Sequence, residues 1–250
     1  MHYDCQRYIP GVEWAAVPAD SWPDSRLGRI LEKLQGYYGR PKLQRFDGPL
    51  EMILWEMVAY LAEDARRGAA FEALRERVGL TPDQILAAPK KTLCEVTRMG
   101  GAIAAEERAE RIQAAARIVR DEFGGDLTSV LKMPPLKAKK ALMRFPMIGD
   151  PGAEKILLFS GALAVLALDS NGVRVMTRLG FGEDRKSYSA TYKSIREASA
   201  GQLRENGKLP TRAHLLLRRH GQELCLRNGP ACGACPVRAD CAYFQRTGLG

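Results

Sequence analysis

The sequence predicts an all-α fold, and three observations carry the prediction. Residues 49–66 and 70–131 place apolar side chains at helical spacing, and no strand pattern competes with it. Proline stands where helices would begin, at Pro49 and after Thr81. Four cysteines follow the last predicted helix and are spaced to enclose one centre. With 250 residues, 46% of them hydrophobic, the chain can form one large domain or two smaller ones.

The first 47 residues begin irregularly and contain three prolines before residue 24. A helix is expected from about Asp24 to Gly36, with Asp24 as its cap. No function is indicated in this segment, and we expect it to pack against the later half of the chain.

Residues 49–66 predict one helix that is mostly buried. Glu56 is the only charge inside its apolar run. A carboxylate in such a place would lose solvation and have a raised pKa, which suits a general acid. Glu56 and Glu63 also share one side of the helix, however, and both can face water. The pattern alone leaves both interpretations open. Further helices are expected at about 70–77, after Pro82 and at about 103–122.

Residues 136–168 predict two helices joined by a short hairpin, Phe145-Pro-Met-Ile-Gly-Asp-Pro-Gly152. We expect Asp150 to cap the second helix and Pro151 to stand in its first turn. The amides of such a hairpin can bind a DNA phosphate without reading base sequence. An ordinary αα-hairpin has the same pattern, so the pattern alone does not decide.

The next segment, Asp169-Ser-Asn-Gly, has a turn and helix-cap signature, so Asp169 is expected to be an N-cap. A polar helical segment then leads to Cys225, Cys232, Cys235 and Cys241 at spacing C-x6-C-x2-C-x5-C. Four thiolates can close around one iron–sulfur cluster or one zinc ion. The tight spacing suits a cubane cluster better than a zinc site with two separated knuckles. Without a secretory signal, disulfides are disfavoured.

The formal net charge of +9 favours an anionic partner, although a solvated basic surface would have the same composition. Positive charge concentrates at residues 132–144, which contain no acid, and at residues 207–250, with seven basic and two acidic residues. No signal peptide or membrane-spanning run is recognised, so a cytoplasmic, nucleoid-associated protein without a membrane partner is expected.

Three ordered motifs resemble one family. The cysteine loop, the hairpin and the block Asp169-Ser-Asn-Gly-Val-Arg174-Val-Met-Thr-Arg178 are similar to those of the helix-hairpin-helix DNA glycosylases, in the endonuclease III and adenine-glycosylase branch. The resemblance covers about residues 45–245 and implies a two-domain all-α fold. It implies a helical-barrel domain at 49–150 and a cluster domain from 1–48 and 151–250. Met147 departs from the pattern, because the family usually has glycine there.

The resemblance implies an enzyme that flips a damaged or mismatched base out of double-stranded DNA and cuts its N-glycosidic bond. Asp169 would be the catalytic carboxylate and Glu56 the acid that protonates a purine, so a purine is slightly favoured. The four cysteines would hold a [4Fe-4S] cluster. Bifunctional members carry a lysine where this chain has Pro151, and Lys155, one turn later, is not expected to replace it. A monofunctional, monomeric glycosylase is therefore expected.

Further implied roles concern DNA contact. Tyr60 and Leu61 are the candidate wedge that fills the gap left by the flipped base. The expected DNA-binding residues are Met147, Gly149, Gly152, Lys137, Lys139, Lys140, Arg174, Arg178, Arg227 and Arg238. Two alternatives stay open: a bifunctional glycosylase with lyase activity, and a non-catalytic DNA-binding iron–sulfur protein.

Overall fold

The computed structural model describes residues 21–42, 46–60, 62–203 and 208–248. These residues form helices and turns and contain no β-strand, which confirms the all-α prediction. The helices are α1 (Arg26–Tyr38), α2 (Pro49–Val58), α3 (Asp64–Arg77), α4 (Pro82–Ala87), α5 (Lys90–Met99), α6 (Ala105–Phe123), α7 (Pro135–Leu142), α8 (Asp150–Phe159), α9 (Ser170–Leu179), α10 (Tyr188–Ala198), α11 (Leu209–Glu223) and α12 (Ala242–Thr247). Short 3-10 turns lie at Thr128–Lys132, Cys232–Ala234 and Arg238–Asp240.

Two buried apolar clusters organise these helices. The first cluster takes side chains from α2 to α8, and the second takes them from α1, α9, α10, α11 and the cysteine loop. The chain passes from the first cluster to the second between Leu157 and Leu166. The domain boundaries expected from the sequence, at residues 48 and 150, stay a prediction.

The expectation of one helix over residues 49–66 is wrong, because α2 ends at Val58 and α3 begins at Asp64. Two arginines donate hydrogen bonds to backbone carbonyl groups that the end of a helix leaves without partners. Arg67 donates to the Trp55 carbonyl at 2.8 Å, and the buried Arg108 donates to the Val58 carbonyl at 3.2 Å. Tyr60, the first of the two predicted wedge residues, therefore lies after the end of α2 and before the start of α3.

Glycine permits two close approaches near the site. A β-carbon at Gly100 would lie 2.3 Å from the Val58 carbonyl oxygen, so glycine allows the α5–α6 turn to approach the end of α2. A β-carbon at Gly221 would lie 2.7 Å from the Asn171 β-carbon, so glycine allows α11 to lie against the start of α9. This second approach brings α11 beside Asp169.

Two helix starts differ from the sequence prediction. Helix α1 begins at Arg26, and its cap is Ser25, whose side chain accepts a hydrogen bond from the Gly28 amide. Helix α8 has Gly149 as its N-cap, and Asp150 is already helical. In this first turn the carboxylate of Asp150 lies 2.7 Å from the ammonium of Lys139.

Candidate active site and cysteine loop

Asp169 is the N-cap of α9, as the sequence predicts. Its Oδ1 accepts a hydrogen bond from the Gly172 amide at 2.8 Å, and its Oδ2 lies 3.5 Å from Nε of Arg218. Burial by itself would raise the pKa of this carboxyl group. His214, the Gly172 amide, Arg218 and Lys155 together outweigh burial, so the pKa lies below its ordinary value. Asp169 is thus a largely buried carboxylate that stays charged.

Glu56 lies on α2, and its Oε2 is 2.7 Å from the ammonium nitrogen of Lys155 on α8. The two side chains are 28% and 14% exposed. Burial opposes the charged form of Glu56, but the positive charges of Lys155 and Arg67 more than offset it, so its pKa is lowered. The expectation of a raised pKa is therefore wrong, because the helix sequence does not show that a cation lies opposite.

Lys155 connects the two carboxylates electrostatically. Its ammonium pairs with Glu56, and its charge also lowers the pKa of Asp169 and of the buried His214. Helix α8 presents Lys155 and Pro151 on one face, because residues four apart in a helix are neighbours. The ammonium thus enters the site from the helix that follows the hairpin.

The sequence analysis did not identify His214 and Arg218, which both lie on α11. Nδ1 of His214 lies 2.8 Å from the Ala167 carbonyl oxygen, and Nε2 has no hydrogen-bond partner among the described residues. Burial lowers the pKa of His214 and so favours the neutral ring. The sequence did contain a signal for these two residues. His214 and Arg218 are polar and four positions apart, so they share one face of a mostly buried helix.

A cavity of about 240 Å³ opens on the other side of Glu56. Arg108 and Arg111 of α6 line it, and so do Tyr60 and Met147, both of which are exposed. The second predicted wedge residue, Leu61, lies outside the described residues. Tyr60 and the hairpin residue Met147 thus line the same cavity.

The hairpin turn shows how the chain accommodates methionine at position 147, where the family usually has glycine. Met147 has a φ of 65°, in the left-handed region that favours glycine, and its side chain is 60% exposed. The turn therefore keeps a glycine-like conformation although it carries a β-carbon. Gly149 is exposed, and Gly152 lies in the first turns of α8 against Ile148.

The predicted DNA-binding residues fall into two groups. Lys137, Lys140, Arg227 and Arg238 are exposed, as a phosphate contact would require. The expectation for Lys139 needs correction, because its ammonium lies between Asp150 at 2.7 Å and Glu154 at 2.9 Å. Lys139 therefore joins α7 to α8.

Arg174 and Arg178 also need correction, because they hold the cysteine loop. Nε of Arg174 donates to the Cys225 carbonyl at 2.9 Å, and its Nη2 donates to the Gly221 carbonyl at 2.7 Å. Arg178 donates to the Cys225 sulfur at 3.3 Å and to the Leu226 carbonyl at 2.6 Å. The family resemblance implied DNA contact for both residues, but in the structure these guanidinium groups bind the protein's own carbonyls.

The four loop cysteines line one small cavity. Burial, together with the charges that the other three thiols acquire on ionisation, raises the pKa of Cys235 to about 11. The described cysteines form no disulfide. The donor set thus fits a group that binds four thiolates, although no trio of His, Cys, Asp or Glu in the described chain is already arranged to hold a metal ion. Among the described helices, none is long and apolar enough to cross a membrane.

No protein-family model matches the sequence. The chain is 28% identical over 193 residues to endonuclease III of Sulfolobus acidocaldarius, which covers 77% of this chain and 81% of that protein. A structure of endonuclease III trapped covalently on DNA superposes with a TM-score of 0.69 at 19% identity, covering 87% of this chain and 95% of that one. A thermostable thymine-DNA glycosylase superposes with a TM-score of 0.67 at 18% identity, covering 88% and 97%.

These similarities cover most of the chain and define a class, the all-α proteins built around a helix-hairpin-helix. Within that class, the relatives and the structural neighbours indicate the helix-hairpin-helix DNA glycosylase superfamily.

Proposed function

We propose that this protein is a DNA N-glycosylase of base excision repair that removes a damaged or mismatched base from duplex DNA. The observation that carries the proposal is Asp169, a largely buried carboxylate whose pKa is lowered and which lies near Arg218 and Lys155. Loss of a base leaves positive charge on the deoxyribose, and a fixed negative charge beside it stabilises that transition state. The names of the relatives, endonuclease III and thymine-DNA glycosylase, agree with this chemistry.

In this proposal water attacks C1′ while Asp169 stabilises the sugar cation and orients the water. Glu56 has a different role from the one expected from sequence. Its charged form cannot donate a proton, so Glu56 holds the Lys155 ammonium in the site. The cavity beside Glu56 is the proposed place for the extruded base, with Tyr60 at its mouth. A charged Glu56 cannot protonate a purine, so the reason to favour a purine is lost, and the volume of the cavity admits either a purine or a pyrimidine.

The DNA surface is proposed to comprise the hairpin backbone at Met147, Gly149 and Gly152, with Lys137 and Lys140 beside it. Arg227 and Arg238 extend this surface from the cysteine loop. In this proposal a DNA duplex contacts the surface through its phosphate groups, and no base is recognised by its sequence before the target base is flipped out.

The cysteines at 225, 232, 235 and 241 are proposed to hold a [4Fe-4S] cluster, which would order the loop. Arg174 and Arg178 already hold the loop to α9, and they would also compensate the negative charge of four thiolates. Purified protein should be brown, absorb near about 400 nm and contain about four irons per chain. A colourless protein with one tightly bound zinc would contradict the cluster.

The direct test of the function is incubation with duplexes that carry different lesions and mismatches, followed by alkali to cut abasic sites. Wild type should release at least one base. Asp169→Asn should lose release while it keeps duplex binding, because the charge that stabilises the sugar cation is gone and one charge that repels phosphate goes with it. Binding without release from any duplex would instead favour the non-catalytic DNA-binding alternative.

A second candidate, a glycosylase with lyase activity, is favoured by the amine of Lys155 in the site. Borohydride reduces an imine between lysine and C1′ to a permanent adduct. We expect no trapped adduct, because Pro151 has no amine and Lys155 is engaged by Glu56. An adduct that forms in wild type and in the exposed control Lys193→Met, but not in Lys155→Met, would establish the lyase alternative.

A further inference from the structure

Arg218 lies where three parts of the chain meet. Its Nη2 donates to Oδ1 of Asp64, the first residue of α3, and its Nε lies 3.5 Å from Oδ2 of Asp169. The side chains of Arg218 and Asp169 are 16% and 19% exposed. One guanidinium group on α11 thus contacts a carboxylate beside each of the two buried clusters.

The two contacts differ in kind. The contact with Asp64 is a hydrogen bond, whereas Nε has no hydrogen-bond partner among the described residues. A buried N–H group without an acceptor costs about 1–3 kcal/mol. A closure of about 0.5 Å would bring Oδ2 of Asp169 within normal hydrogen-bond distance of Nε. Nε therefore lies close to Asp169 without a hydrogen bond to it.

Other charged groups surround this pair. Asp169 is faced by Lys155 of α8, by His214 of α11 and by Tyr188 of α10, whose pKa burial and Asp169 raise to about 12. Arg218 is faced by Asp64 and Arg67 of α3 and by Glu56 of α2. Among the described residues, Asp169 makes no ion pair other than the one with Arg218.

We propose that Arg218 is a positioning residue that keeps the Asp169 carboxylate charged and oriented, and that ties it to the start of α3. The inference rests on the proposed catalytic role of Asp169. The charge state of Asp169 can, however, be measured without any substrate, so the two ideas can fail separately.

The first experiment is a carbon-13 NMR titration of the aspartate carboxyl groups in the full-length holoprotein, with Asp169→Asn to assign the signal. In Arg218→Gln the titration midpoint of Asp169 should move to higher pH, because a nearby positive charge is gone. Arg218→Lys should restore most of the change. Arg219→Gln is the matched control, since the neighbouring Arg219 is half exposed and pairs with Glu223. An unmoved midpoint in Arg218→Gln would overturn the proposal.

The second experiment measures single-turnover base release against pH on a duplex that wild type processes. Relative to wild type, Arg218→Gln should be slowed most at acid pH, and the difference should shrink as the pH rises and Asp169 becomes charged again. A uniform loss at every pH would mean that Arg218 only supports the fold. Asp64→Asn tests the tie to α3: it removes a negative charge that partly neutralises Arg218, so it should move the acid limb to lower pH, and no movement would refute the tie. If wild type releases no base at all, the proposed glycosylase function is refuted. The NMR titration needs no substrate, so it still decides the role of Arg218.

Discussion

The ion pair between Glu56 and Lys155 permits a quantitative test. At an effective dielectric constant of about 20, two unit charges 4 Å apart attract by about 4 kcal/mol. The Glu56 oxygen and the Lys155 nitrogen are 2.7 Å apart, so the gross attraction between their charges is at least as large as this value. Desolvation of both groups opposes it. Lys155→Met removes the attraction and leaves a carboxylate with Arg67 and Arg218 for compensation.

The expected net loss is about 1–3 kcal/mol of unfolding free energy, because a partly exposed pair is worth less than a fully buried one. In a chain of this size, that loss lowers the melting temperature by about 2–10 °C. The loss depends on pH. Because the pKa of Glu56 in the folded state lies below its unfolded value, the pair stabilises the fold above the unfolded pKa, and this contribution disappears as the pH falls through the folded pKa.

Thermal unfolding of the holoprotein between about pH 4 and pH 8 is the assay. The gap between wild type and Lys155→Met should be widest near neutral pH and should narrow in acid. The double variant with Glu56→Gln should recover much of the loss, since no buried charge is left unpaired. Lys193→Met, a lysine that is 78% exposed, is the control and should change little. Equal melting temperatures for wild type and Lys155→Met at neutral pH would refute the reasoning.

Three further predictions follow from the hairpin and the loop. Met147→Gly should raise the unfolding free energy by about 0.5–1 kcal/mol, because glycine relieves the left-handed backbone; a loss of stability in denaturant titration would contradict this. Lys137→Gln combined with Lys140→Gln should lower duplex affinity and reduce the salt dependence of binding by about two ion equivalents, whereas Lys139→Gln should lower the melting temperature and leave the salt slope nearly unchanged. Arg174→Gln should reduce the iron content, because the cysteine loop loses its bonds to α9; wild-type iron content after dialysis would count against that role.

Local signals in the sequence determined much of the fold. The all-α class, the hairpin and the N-cap at Asp169 all depend on residues close to one another in the chain. The spacing of the four cysteines likewise indicated one shared site, and all four line a single cavity in the structure. These features need no knowledge of what lies across the molecule.

Only the tertiary structure decided the charge states of the buried carboxylates and the partners of the basic side chains. Glu56 stays charged because Lys155, far along the chain, lies 2.7 Å away. Arg218 reaches Asp64 and Asp169 at once because α11 packs against α9 beside the start of α3. Lys139, Arg174 and Arg178 look like DNA contacts in a basic sequence, but carboxylates and carbonyls of the folded chain engage them. The reason is physical: a pKa or an ion pair depends on distances through space, which the order of residues does not specify.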